Sequence, residues 1–200
     1  MNYLAHAYLS FEHPGILVGN MISDFVKGRK KFDYGADIQK GIFLHRAIDE
    51  FTDTHAVTRQ AKSYFRNAYG LYSAAFVDIV YDHFLANDTA EFEEGSLMEF
   101  SQRTYDILMR HLPEMPERFQ HMLPFMKKQN WLYNYQFREG LRNSFGGLVR
   151  RAAYLDESDT AFRLFEKHYE DLMRCYMEFF PELKQFSHQT FESLINREIF

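Results

Sequence analysis

The stretch Gly41–Asp53, GIFLHRAIDEFTD, decides how the chain is read. Wound as a helix, it stacks His45, Asp49 and Asp53 at i, i+4 and i+8 along one face. Ile42, Phe43, Ala47, Ile48 and Phe51 are left for a core-facing side. A line of imidazole and carboxylates is donor chemistry for a divalent cation or for acid–base work; a solvated helix face more often alternates Glu with Lys. A second stretch answers it. In Asp78–Leu85, DIVYDHFL, Asp78 and Asp82 are one turn apart and His83 adjoins Asp82. The apolar residues around them (Ala75, Phe76, Ile79, Val80, Phe84, Leu85) cover a wide arc. A carboxylate inside such a helix is costly to bury unless it is paired or metal-bound.

Toward the N-terminus, Met1–Ser10 (MNYLAHAYLS) predicts a short helix with His6 among apolar neighbours. His13-Pro14-Gly15 is a turn signal. Ile16–Val26 predicts a second helix in which Gly19 and Asn20 are poor interior residues, pointing to close packing or to a polar contact for Asn20. Asp24, among Ile22, Phe25 and Val26, is expected half-buried. Lys27–Lys31, KGRKK, predicts a loop with four cations in five positions: a solvated run, or a rim that attracts anions to Asp24.

The central helix is expected to be capped by Asp37 and to end near Asp53, with Thr54 opening the next. Gly70 separates that one from a helix over Tyr72–Ala86. Further helices are predicted over Leu97–Leu112, from Pro116, over Trp131–Phe137, and over Leu141–Tyr154 with an interruption at Gly146-Gly147. A long helix should run from Asp156 or Ser158 to Phe180 and stop at Pro181, followed by a helix or tail over Leu183–Phe200. No strand alternation exceeds four residues, and neither repeats nor low-complexity linkers occur. The reading is all-α: one helical bundle over residues 1–200, its site-bearing helices mainly within 1–90 and helices of 156–200 packed on them.

Composition narrows the function. A chain of 200 residues suits one domain, and its 18% aromatic content supplies much of a core. A formal net charge of −5 argues against a nucleic-acid partner. A single cysteine, Cys175, excludes an internal disulfide and a cysteine-only zinc site. With no apolar run of membrane-spanning length and no leader pattern, a cytoplasmic location without membrane contact is expected.

Three segments thus each offer metal-type side chains in apolar surroundings: Asp24; His45 with Asp49 and Asp53; Asp82 with His83. His6 is a fourth candidate. Mixed His/Asp ligation suits Mn2+, Mg2+, Fe or Zn. Taken singly, His6 reads as a core histidine, and Asp49 and Asp53 as partners of Arg46 or caps of the following helix; the clustering favours a site. There is no G-x-S-x-G elbow, P-loop, G-x-G-x-x-G or H-E-x-x-H.

MNYLAHAYLS, GNMISDFVKG, GIFLHRAIDEFTD and VYDHFL, in this order, resemble the bacterial acyl carrier protein phosphodiesterase family. The likeness continues more loosely through LPEMPERF, the WL segment and GGLVRRAAY. It implies a helical fold distantly related to HD-domain phosphohydrolases. It also implies an enzyme that hydrolyses the phosphodiester of holo-acyl carrier protein, releasing 4′-phosphopantetheine, with manganese or magnesium in support. The family's motif aspartate falls on Asp24, its H-R-x-I-D block on His45, Arg46 and Asp49, and its D-H-F-L block on Asp82 and His83. The adjacent pair here is Asp-His, the reverse of the HD order.

On that basis Asp24, His45, Asp82 and His83, with His6, are expected to hold the metal, and Asp49 to orient His45 or act as base. Lys27, Arg29, Lys30, Lys31 and Arg46 would rim the site and steer an acidic carrier, and Arg150 and Arg151 would join the rim or bind the pantetheine phosphate. Two other readings stand beside this one: a hydrolase of nucleotides or other small phosphoesters, and a non-catalytic module that binds the carrier. The sequence leaves the oligomeric state open.

Overall fold

The second and third helices, Pro14–Ile22 (α2) and Ala36–Thr54 (α3), make the most extensive helix contact in the molecule. Glycine permits it: a Cβ on Gly19 would fall 2.0 Å from the carbonyl oxygen of Ile38, and one on Gly41 2.2 Å from that of Ile16. The backbones therefore touch, which brings Asn20 of α2 against His45 of α3. The computed structural model that shows this describes residues 1–196.

Around this pair lie Tyr3–Tyr8 (α1), Ala56–Tyr69 (α4), Ser73–Ala86 (α5), Ser96–Arg110 (α6), Glu117–Lys128 (α7), Trp131–Asn134 (α8), Arg138–Arg151 (α9), Asp159–Lys167 (α10) and Tyr169–Ile195 (α11). No strand occurs among the described residues, so the all-α reading holds. One continuous core runs through the bundle, with Phe65, Phe76, Phe145, Phe165, Phe179 and Tyr81 among its largest fully buried side chains. Cys175 is buried within it.

Helix α1 is six residues long, too short to persist alone. Asn2 caps it, accepting from the Tyr3 N–H, and Asp82 of α5 closes the rest of its first turn. One carboxylate oxygen of Asp82 accepts from Leu4 N at 2.7 Å; the other accepts from Asn2 N at 3.2 Å and Ala5 N at 3.3 Å. A buried carboxylate thus supplies what the helix end lacks.

Several local expectations are corrected. Lys27–Lys31 is not an open loop: Gly28–Asp33 winds into 3₁₀ turns. Asp37 lies in the first turn of α3 behind Gly35, where it favours the helix electrostatically without capping it. Phe43 is 39% exposed, with the Lys31 ammonium 4.3 Å from its ring centroid. Gly146-Gly147 does not interrupt α9. The long C-terminal helix breaks at His168, not at Pro181, which lies inside α11. Pro181 and Met177, whose carbonyl loses its usual partner, are both exposed, so the carbonyl is on a solvent-facing side of the helix. Residues 197–200 of the expected final helix lie outside the described residues.

Candidate metal centre

Asn20 organises the site. Its side-chain nitrogen donates to the His6 carbonyl at 2.9 Å and to Ser10 Oγ at 3.1 Å. A carbonyl can only accept, so the amide is oriented with Oδ1 toward His6 Nδ1, 2.8 Å away. His6 Nδ1 must then carry the proton. The backbone carbonyl of Asn20 accepts in the same way from His45 Nδ1 at 2.7 Å. One buried residue thereby fixes both imidazoles with Nε2 facing the same space, and the two rings stack at 3.9 Å between centroids and 16° between planes.

Carboxylates meet those nitrogens. His45 Nε2 lies 3.1 Å from Asp49 Oδ2 and 3.2 Å from Asp24 Oδ1; His6 Nε2 lies 3.2 Å from Asp49 Oδ1. One ligating atom each from His6, His45 and Asp49 falls within 4.8 Å of the others. The Met1 ammonium closes the far side, 3.1 Å from Asp78 and 3.7 Å from Asp49. A cavity of about 310 Å³ opens here, lined by Asp24, Asp49, Asp53 and Asp78 together with Tyr72. So many carboxylates around one opening favour a cation.

Electrostatics follow the geometry. Burial would lower the His45 pKa, but its contacts with Asp24 and Asp49 override burial and raise it to about 9. Burial, and then the neighbouring His45 charge, lower His6 to about 4. Asp24 is held below the usual carboxylate range chiefly by its bond to His45. Asp49 is held low by both imidazoles against a burial cost. In this state one proton sits on His45 Nε2 between two carboxylates. Neutral His6 instead points a lone pair at Asp49, and its buried Nε2 has no hydrogen-bond partner. Two acceptors facing each other across 3.2 Å are what a cation between them relieves. His6, His45 and Asp49 therefore fit a divalent metal, with protons directed away onto oxygen acceptors as metal-binding imidazoles require.

The structure does not bring all the expected residues to this point. Asp24 does arrive, but at the mouth, its side chain 72% exposed and not half-buried. Asp82 is engaged by the α1 backbone; burial raises its pKa to about 7, against the pull of the Met1 ammonium and its backbone donors. His83, one residue on, turns to another side of α5. Its Nδ1 bonds to the Tyr135 carbonyl at 2.7 Å, and its ring packs edge-on against Phe84 and Phe165. The structure thus gives Asp82 and His83 partners in the scaffold and does not bring them into the His6–His45–Asp49 cluster.

Asp53 pairs with Lys62 at 2.7 Å, and Arg46 reaches the Val26 carbonyl at 3.2 Å rather than Asp49. Lys27, just before the 3₁₀ segment, and Arg29, on it, are both exposed. Arg150 and Arg151 line a different cavity, of about 570 Å³, whose wall includes Asn2 and Tyr3. Of the site's essential parts, Asn20 carried a sequence signal, a polar residue inside an apolar helix. Ser10 and the Met1 amine carried none.

An all-helical protein with a histidine–carboxylate cluster at an acidic cleft offers the mixed nitrogen and oxygen donors of a divalent-cation site. Residues 1–183 match the family model described as acyl carrier protein phosphodiesterase, and the chain belongs to that family. Proteins of that name from Photorhabdus laumondii and Yersinia pestis are 34% and 31% identical to it, over 186 and 184 residues. Each alignment covers 92% of this chain, with 94% of the first relative and 95% of the second. One from Serratia proteamaculans is 31% identical over 92% of this chain and 96% of its own. No solved structure matches significantly, so the kinship to HD-domain proteins has no structural neighbour behind it.

Proposed function

We propose that this chain hydrolyses the phosphodiester between 4′-phosphopantetheine and the serine of holo-acyl carrier protein, yielding apo-carrier, and that it uses a divalent cation, Mn2+ or Mg2+. The observation that carries the reading is the pair of imidazoles locked by Asn20, both presenting Nε2 to Asp49 in a member of this family. His6, His45 and Asp49 would hold the cation, with Asp24 beside them. Mixed nitrogen and oxygen donors suit manganese better than magnesium. Bound there, the metal supplies Lewis acidity toward a phosphoryl oxygen and acidifies water.

The chain's own groups do the rest. Asp49 meets both imidazoles and the Met1 amine, so it is committed to holding the centre together. Asp24 has one partner and faces the opening, which suits it to take a proton from the water that attacks phosphorus. The P–O bond to serine breaks as the new P–O bond forms, and that proton is passed on to the departing serine oxygen.

The carrier would approach over the basic segment. Lys27, Arg29 and Lys30 are exposed there, and Phe32 (59% exposed) and Phe43 lie beside Lys31. Cations with aromatics suit an acidic partner with a small apolar patch, even though the whole chain is acidic. The test is Asp24→Asn assayed on holo-carrier. Turnover should fall at least a hundredfold with an unchanged helical circular dichroism spectrum; retained turnover would remove Asp24 from the chemistry.

A further inference from the structure

Helix α9 has two unlike faces. Leu141 and Phe145 are buried, and the helix packs on α5. The opposite stripe, at i, i+3, i+4, i+7, i+10 and i+11, is Gly140, Asn143, Ser144, Gly147, Arg150 and Arg151, and all six line the 570 Å³ cavity. A stripe without a single large apolar side chain is not built to bury against another helix. Gly146 and Gly147 each cost about 1 kcal/mol relative to alanine in a helix interior. Neither has the positive φ that would call for glycine. What Gly147 provides is an open floor: a Cβ there would meet only the Arg151 and Arg150 guanidiniums, at 3.4 and 3.7 Å.

Those guanidiniums make no ion pair or hydrogen bond among the described residues, whereas Arg138 and Arg142 of the same helix are paired to Glu166 and Asp159. The facing wall holds Tyr3 and Trp131, ring centroids 6.5 Å apart, and further amides come from Asn2, Gln129 and Asn134. Asn2 and Tyr3 line this cavity and Met1 lines the acidic one with Asp24, so the cavity and the metal centre flank the same start of α1.

We infer that this cavity is the cleft for the prosthetic arm: where its Asn2/Tyr3 edge adjoins the Met1 side of the metal centre, Arg150 and Arg151 take oxygens of the same phosphate that is attacked there, and the amide-lined channel between α9 and Tyr3/Trp131 takes the pantetheine chain. The inference rests on the proposed hydrolysis of holo-carrier and adds the residues that recognise the arm. Paired guanidiniums suit a phosphate's charge and geometry, amide side chains suit a ligand with its own amides, and the volume suits a molecule of that size.

Trp131 is the only tryptophan in the chain, which makes its emission a direct reporter. The experiment titrates the protein with free 4′-phosphopantetheine and, separately, with pantetheine, without turnover. Phosphopantetheine should produce a saturable change in emission, and pantetheine should need at least tenfold higher concentration. Arg150→Gln with Arg151→Gln should abolish that difference. Gly147→Leu fills the floor, raises helix propensity and should abolish both responses. An emission that does not respond, or an unaltered response in Gly147→Leu, would overturn the cleft even if holo-carrier is hydrolysed. A normal response in a protein that leaves holo-carrier intact would sustain the cleft and overturn the hydrolysis.

Discussion

Replacing Asn20 with leucine tests whether imidazole orientation governs cation binding. Leucine keeps the branching and heavy-atom count of asparagine with bulkier methyl ends, so it removes the polar atoms at the cost of some repacking at the close α2–α3 contact. The change deletes the acceptor for His6 Nδ1 and the donor to the His6 carbonyl, bonds of 2.8 and 2.9 Å in a fully buried setting. The His6 carbonyl keeps its bond from Ser10 Oγ at 2.8 Å, and His45 keeps the backbone carbonyl of residue 20. Besides the donor that Ser10 Oγ loses, the damage therefore falls on the His6 ring. A buried N–H without a partner costs about 1–3 kcal/mol. His6 escapes by moving its proton to Nε2, where Asp49 lies 3.2 Å away, and so withdraws its lone pair from the centre.

Loss of such an orienting partner weakens metal binding by about 10- to 100-fold. Calorimetric titration of Mn2+ into wild type and Asn20→Leu measures this, with thermal melts confirming that both are folded. Ser10→Ala is the control: it weakens the network but leaves Oδ1 in place, so affinity should stay within about twofold. A folded Asn20→Leu protein that binds Mn2+ like wild type would refute the tautomer reasoning.

Four other outcomes follow from the contacts of the structure. Asp82→Ala leaves three N–H groups of α1 without their acceptor and should lower stability by about 2–4 kcal/mol in urea unfolding, with metal-free helicity otherwise retained at low denaturant. Gly19→Ala or Gly41→Ala drives a Cβ into backbone and should cost about 3 kcal/mol or more, seen as a lower thermal midpoint and less soluble protein. The metal-free protein should lose stability as pH rises. The His45 pKa is raised from 6.5 to about 9, so its contribution, about 3 kcal/mol, is full below pH 6.5 and gone above pH 9. The same proton competes with the cation, so apparent Mn2+ affinity should climb about tenfold per pH unit below that pKa. A flat affinity between pH 6.5 and 8.5 would show that His45 is not a ligand.

How far the sequence reached depends on what each residue's partner is. Helix positions were legible from apolar spacing, and His45 with Asp49 from the one-turn interval that the structure uses directly. Asp24 and His6 were legible by type and neighbourhood, although the exposure of Asp24 was not. The partners of Asp82 were not legible because a buried carboxylate has two remedies, a metal or a set of backbone donors, and local sequence cannot tell them apart; the donors lie about eighty residues away at the start of α1. The direction of His83 was not legible from its adjacency to Asp82, since one residue turns a helix by about 100° and faces a different neighbour. Gly146-Gly147 read as an interruption because glycine weakens a helix, but its flanking turns carry the helix through. Pro181 likewise reads as a stop unless its face is known to be exposed.

The most direct measurement is the intact mass of purified holo-acyl carrier protein after incubation with this protein and Mn2+, beside an EDTA control. Loss of the 4′-phosphopantetheine mass with Mn2+, and none with EDTA, is the predicted result. A carrier of unchanged mass, with the protein folded and Mn2+ bound, would contradict the proposed reaction.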